Sequence, residues 1–267
     1  HMRQLISARV TGRLILAALS TLAYGLLKGK AHHVFDDVLL SMVGKPAGGF
    51  RPIGVASAVR RATLRLVSTR LTHEVRDLCE AQGQLGPAPA GPQRAYLRAQ
   101  RCLQQGHVVL KLDISNAFNQ VERAALMEAA RRVGDHLAAG GHPSAALAIA
   151  CKAYTRPTTV RVAGSHAFAT TRGVVQGCPL ASTLFDLLMA ELVPCLAARL
   201  SANPLPQGGA IEVRPMPSEA HSLSHDPRVV YIALVHDDIT MASASTEFLP
   251  QVVNALQAEL EIRGMAL

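Results

Sequence analysis

The sequence predicts an α+β fold, and three features carry that prediction. Residues 229–243 (VVYIALVHDDITMAS) are apolar and largely β-branched up to Asp237 and Asp238, and the apolar run resumes over 239–242. That is the pattern of strand, tight turn and strand, with both acids at the hairpin tip. Residues 108–112 form a second strand-like run that ends on Asp113. Between and around these runs, apolar residues recur at helical spacing. Asp is a common turn residue, so the pair alone says little. Two buried strands that each deliver carboxylate at one end are what a hard divalent cation needs, because Mg²⁺ is usually held by one or two carboxylates plus substrate phosphates.

Composition sets bounds on function. A chain of 267 residues, 49% hydrophobic, can bury a sizeable core in one or two domains. Lys and Arg number 27 against 19 Asp and Glu, giving a net charge of +8, which favours a polyanionic partner over a small neutral ligand. Cys79, Cys102, Cys151, Cys178 and Cys195 form no CxxC and no paired framework, as expected of reduced thiols in an intracellular protein. The most lipid-like segment, 14–27, is too short to span a bilayer and is flanked by Arg13 and Lys28, so no membrane partner is expected.

Taken in order, residues 5–27 read as one or two packing helices, and 34–43 is ambiguous between helix and strand. Residues 44–49 (GKPAGG) force a turn before a strand at 50–55, making a hairpin that carries Lys45 and Arg51 near its tip. Residues 57–76 form a helix that Ser57 can cap, with Val59, Ala62, Leu66 and Val67 on its apolar side. Arg60, Arg61, Arg65 and Arg70 lie elsewhere on it, a basic face that serves solubility or a phosphate backbone. A Gly/Pro loop at 83–92 leads to a helix at 93–105, the strand to Asp113, and helices at 122–133 and 144–154. A small hairpin around Gly164 and a turn at 173–179 precede a long apolar helix at 179–200, kinked at Pro194. Residues 201–228 read as a loop, and a helix at 246–263 closes the chain.

Four pieces therefore occur in one order, and together they resemble a known family. KLDISNAFNQVER (111–123) resembles the first catalytic motif of reverse transcriptases, and GVVQGCPLASTLF (173–185) their QG-P-L-LF motif. VHDD (235–238) sits where they carry an aromatic-x-Asp-Asp box, and GGFRPIGVASAVRR (48–61) is similar to the Arg-Pro-Ile segment of their fingers. The style is that of non-long-terminal-repeat retrotransposons. The resemblance implies a right-hand polymerase: a helical fingers region and an antiparallel palm sheet backed by helices. The divisions expected are fingers at 1–106, a palm strand at 107–120, connecting elements at 121–176 and palm at 177–267. The sequence stops where the family's next motif would begin, so a fingers-and-palm piece without the thumb is expected.

What the resemblance implies for chemistry is RNA-templated DNA synthesis. A primer 3′-hydroxyl attacks the α-phosphate of a deoxynucleoside triphosphate, with RNA template and DNA primer as partners; nothing here sets the oligomeric state. Two Mg²⁺ or Mn²⁺ ions about 3.5–4 Å apart stabilise the attacking and leaving oxygens. Asp113, Asp237 and the carbonyl of Ile114 would hold them, with Asp238 as an auxiliary acid. Lys45 and Arg51 would hold the triphosphate, Arg as a bidentate fork. Phe118, five residues after Asp113, would exclude a ribose 2′-hydroxyl, or else simply pack in the core. Gln176 and Gly177 would line the incoming nucleotide, because glycine lets backbone approach closely. Arg60, Arg61 and Arg65 would contact nucleic acid. Cys178 reads as an inert buried thiol.

Val235 and His236 depart from the family's aromatic and small residues, and His236 reads as a metal ligand, a proton donor or a turn-side residue. Two rivals follow. A catalytically silent polymerase-like domain would bind nucleic acid or protein and show no metal-dependent nucleotide binding. A basic RNA-binding module with about five phosphate contacts would lose log affinity against log salt with a slope of roughly −3.5 to −4.5, whatever metal is present.

Overall fold

The structure, a computed structural model, describes residues 9–30, 37–44, 46, 48–162, 167–205, 209–218 and 223–267. Its strands form two four-stranded sheets, one in each of two compact units. The first unit comprises residues 1–71 and 131–181, and the second comprises 72–130 and 182–267. The divisions expected at 106/107, 120/121 and 176/177 fall within these units.

In the first unit, α1 (Arg9–Leu27) precedes a hairpin of β1 (Asp37–Gly44) and β2 (Phe50–Ala56). The segment left ambiguous by its sequence pattern is therefore a strand over its described part, paired from Val38↔Ala56 to Gly44↔Phe50. β1 also pairs in parallel with β4 (Thr158–Arg161), and β4 pairs antiparallel with β5 (Ala167–Thr170), giving the order β2-β1-β4-β5. Gly164, the expected centre of the β4–β5 turn, lies outside the described residues. The unit also holds 58–71 of α2 (Ala58–Ala81) and α6 (Ala145–Lys152), capped by Ser144, whose Oγ accepts from the Leu147 N–H at 2.9 Å. Ser57 caps α2 as expected, accepting from the Arg60 N–H at 3.1 Å.

The apolar side of α2 matches the expected one only at Val67, which is buried. Arg60, Thr63, Leu64, Val67 and Leu71 are buried, whereas Val59 and Leu66 are exposed. The buried stripe keeps helical spacing but is rotated from the Val59–Ala62–Leu66 face. Arg60 is consequently 1% exposed and does not share the basic face with the exposed Arg61 and Arg65. Its guanidinium lies 3.4 Å from the carbonyl of Asp37, so Arg60 is an interior residue and not the expected nucleic-acid contact.

The second unit holds α3 (Gly91–Gln104), β3 (Val108–Asp113), α4 (Ala117–Gln120), 182–190 of α7 (Ala181–Ala190), α8 (Leu192–Ala202), β6 (Glu212–Pro215), β7 (Val229–Val235), β8 (Asp238–Ser243) and α9 (Leu249–Ile262). α5 (Arg123–Ala139) begins in this unit and runs six residues past its expected end at Val133. The sheet order is β3-β8-β7-β6, antiparallel across β3, β8 and β7. β6 joins as a parallel edge strand from a stretch whose Pro, Gly and Ser content reads as loop. Every residue of the central β7 is buried, which explains its unbroken apolar sequence. Val229, Tyr231, Ala233 and Val235 share one face with Leu85, Ala95 and Cys102. Val230, Ile232 and Leu234 alternate onto the other and are fully buried.

The long apolar helix breaks at Glu191 rather than at Pro194. Proline clashes with the carbonyl four residues earlier, here that of Ala190, so the break falls one turn upstream of the ring. Ala181–Ala202 would pass for a membrane span by length and composition, yet 67% of its apolar window is buried in the protein, as in a core helix.

Candidate active site

The β3–β8 ladder sets the three carboxylates. Its register runs from Val108↔Ser243 to Asp113↔Asp238, so Asp113 lies directly opposite Asp238 at the end of the ladder. Directly opposed residues share a face, with Cβ atoms about 4.5–5.5 Å apart. β7 and β8 pair up to Val235↔Asp238, which leaves His236 and Asp237 as a two-residue turn. Asp237 thus sits one residue from the Asp113–Asp238 pair. Burial pushes its pKa above the usual carboxylate range, and the charges of Asp113 and Asp238 push in the same direction. Three acids at one sheet end repel each other, and cations relieve that repulsion. Lys111, two residues before Asp113 on the same face, already reaches Asp238 with Nζ 3.0 Å from Oδ1.

The turn itself is strained. His236 has φ 54°, at the place where two-residue hairpins ordinarily carry glycine. Such a conformation costs on the order of 1–3 kcal/mol in a non-glycine residue. Offsetting bonds come from two other segments. The His236 N–H donates to Gln84 Oε1 at 3.2 Å, and the His236 carbonyl accepts from Gln84 Nε2 at 3.3 Å. Residues 83–85 lie beside β7, with Leu85 N–H donating to the Leu234 carbonyl at 2.8 Å and Leu234 N–H to that of Gly83 at 2.9 Å. The ring Nδ1 of His236 lies 2.8 Å from Oδ1 of Asp186, whose side chain is 3% exposed within the apolar α7.

Burial raises the Asp186 pKa to about 6, although the bond from His236 pulls it down. That same bond, set against the ring's own burial, raises the pKa of His236. Both groups therefore bind protons more tightly folded than unfolded, and the pair's contribution to stability falls as pH rises from about 4 through neutrality. In metal-free protein, Asp186→Asn is expected to flatten that fall. Chemical denaturation at pH 5 and 7 checks it, and a stability gap between variant and wild type independent of pH would refute it.

Ile114, 1% exposed, anchors the chain just beyond β3. Phe118 on α4 is half-buried and stacks on Phe185 of α7, with ring centroids 4.6 Å apart and planes at 25°. The stacking holds the ring against α7, as packing requires.

The other candidate residues belong to the first unit. Arg51 is exposed on β2, and Lys45 lies outside the described residues. The Gln176–Gly177 turn is braced against β2, where the Gly54 N–H donates to the Gln176 carbonyl at 2.7 Å. Gly177 has φ +99°, and a Cβ there would lie 2.8 Å from the carbonyl oxygen of Gly54. A Cβ on Gly54 would in turn meet Val175 and Val38. Two glycines thus bring the Arg-Pro-Ile strand and the QG turn into backbone contact. Cys178 is buried, as expected of an inert thiol.

The family model for reverse transcriptase (RNA-dependent DNA polymerase) matches residues 43–267. The chain belongs to the reverse transcriptase family. It is 26% identical over 233 residues to the Pol polyprotein of the type-1 retrotransposable element R2 of Popillia japonica. That match takes in 82% of this chain and 28% of the relative's length. Among solved structures it resembles telomerase from Candida albicans in complex with a TWJ fragment of telomeric RNA, with TM-score 0.57 and 14% identity over 86% of this chain and 41% of that one. It also resembles apo telomerase from Candida tropicalis truncated from its C-terminal domain, at TM-score 0.55 and 13% identity, covering 86% of this chain and 48% of that one. The fold is that of right-hand polymerases.

Within this reverse transcriptase fold, sequence reasoning missed Asp186, Gln84 and Lys111. Asp186 offered a signal, a lone acid inside the apolar run LFDLLMA. Gln84 offered none, because its partner lies 152 residues away.

Proposed function

We propose that the chain is the catalytic portion of an enzyme that copies RNA into DNA, adding deoxynucleotides to a primer 3′ end with two bound divalent cations. The observation that carries this reading is the ladder that sets Asp113 opposite Asp238 with Asp237 in the adjoining turn. The donor set fits hard cations: two carboxylates, from Asp113 and Asp237, and the backbone carbonyl of Ile114. Among the described residues no group of three or more His, Cys, Asp or Glu forms a ready-made cage. Mg²⁺ and Mn²⁺ do not need one, since substrate phosphates and water complete their oxygen shell. Asp238, engaged by Lys111, is the auxiliary acid.

Once bound, the cations would stabilise charge on the attacking and leaving oxygens. The chain's own residues supply position and selectivity. The ladder holds Asp113 at a strand end, where a backbone hydrogen-bonded on one side leaves little freedom. Arg51 offers a fork for triphosphate oxygens, and Gly177 keeps the QG turn seated against the Arg-Pro-Ile strand that carries that arginine. Phe118 supplies the wall against a 2′-hydroxyl. Phe118→Val is expected to raise ribonucleotide incorporation relative to deoxynucleotide by at least about 10-fold, read as the ratio of kcat/KM values. An unchanged ratio would return Phe118 to packing alone.

Primer extension by the full-length polypeptide tests the function. RNA and DNA templates are compared with Mg²⁺, with Mn²⁺ and with chelator. Metal-dependent extension on RNA is expected. Template binding without extension under any metal would favour a silent, nucleic-acid-binding domain.

A further inference from the structure

The departure at the hairpin, a histidine in the third-from-last place of VHDD, is tied to the buried acid of α7. Three segments meet at this turn. Gln84, wholly buried, hydrogen-bonds both the N–H and the carbonyl of His236 through its amide, and its Oε1 also accepts from the Gly86 N–H at 2.7 Å. Asp186 holds the imidazole from the other side. Gly86 leaves room for this pair: a Cβ there would lie 2.5 Å from Asp186 Oδ1 and 2.7 Å from His236 Nδ1. Leu184, Phe185, Leu187 and Leu188 around the acid are 0–1% exposed, so a carboxylate is an unfavourable choice for packing. Among the described residues its one hydrogen-bond partner is the ring.

We propose that Asp186, His236 and Gln84 are positioning residues whose clamp on the turn fixes the Asp237 carboxylate relative to Asp113, and so sets the cation affinity of the site. A left-handed residue in a two-residue turn determines where the next side chain points. Without the clamp nothing anchors the turn in this one conformation, the residue at 236 samples others as well, and Asp237 turns with it. Outer partners of this kind typically change metal affinity or activity by about 10–100-fold. The inference rests on the function proposed above and adds to it which residues tune the metal site.

Mn²⁺ binding to the full chain, followed by electron paramagnetic resonance alongside thermal melting, tests the clamp. Asp186→Ala and His236→Asn are each expected to weaken Mn²⁺ binding about 10-fold, with melting temperatures within about 4 °C of wild type. Asn tolerates the left-handed conformation but is too short to reach Asp186, so His236→Asn separates the clamp from simple turn strain. Asp186→Asn keeps an oxygen for the ring and should recover most of the lost affinity. The double variant should bind no worse than either single one, because both remove one interaction. Asp113→Ala is the control for the site itself. Binding that needs Asp113 but ignores Asp186 and His236 overturns the clamp while leaving the proposed function intact. Affinity lost only in proportion to lost folding also overturns it, since the clamp is then merely structural. Mn²⁺ binding indifferent to Asp113 overturns both.

Discussion

Asp237→Asn is expected to cut primer extension by the full-length polypeptide about 10³-fold or more, with RNA affinity and melting temperature little changed. The substitution keeps the shape of the side chain and removes its charge. Losing one preorganised group that faces developing charge typically costs about 10²–10³ in rate, and a carboxylate holding a cation sits at or above that range. A factor of 10³ corresponds to about 4 kcal/mol of transition-state stabilisation. The fold should tolerate the change because Asp237 lies in a turn, is half-buried, and its raised pKa shows that folding disfavours its charge. Single-turnover extension assays with saturating nucleotide read the effect directly. Activity within a factor of ten of wild type would remove Asp237 from the chemistry.

The second large effect is expected at Gly177. Gly177→Ala places a Cβ 2.8 Å from a backbone oxygen in a residue whose φ is +99°. Neither fault is easily relieved. The oxygen belongs to Gly54, whose own N–H is bonded to the Gln176 carbonyl and whose Cα face is closed by Val175 and Val38. Strain and overpacking together are expected to cost about 2–4 kcal/mol, measured by chemical denaturation. The nucleotide KM should rise at least about 10-fold, because the QG turn must leave its position on β2. Gly54→Ala should act similarly, and wild-type stability in both would mean that the turn does not need this contact.

Much of the site was legible in the sequence because strands announce themselves locally. The 108–113 and 229–243 runs remain largely apolar up to an acid, so both strands and their terminal acids were legible, whereas the register that sets Asp113 opposite Asp238 comes from the structure. Local patterns failed where long-range pairing decided. β6 is a four-residue strand in a Pro- and Gly-containing stretch, formed by its parallel register with β7. The 83–86 segment reads as a spacer, yet its Gln84 braces a turn far along the chain. On α2 the polar sequence allowed two apolar faces, and packing chose the one that buries Arg60. The apolar helix was legible, but the position of its break required the clash of Pro194 with the preceding turn.

The central claim is that Asp113 and the Asp237–Asp238 turn together hold divalent cations. Anomalous diffraction from crystals of the full chain grown with Mn²⁺ and a deoxynucleoside triphosphate tests it most directly. Manganese peaks bridging the carboxylates of Asp113 and Asp237, with triphosphate oxygens completing the shell, are the predicted result. Manganese bound elsewhere, or those carboxylates lying more than roughly 10 Å apart and so too distant for a shared two-ion centre, would contradict it.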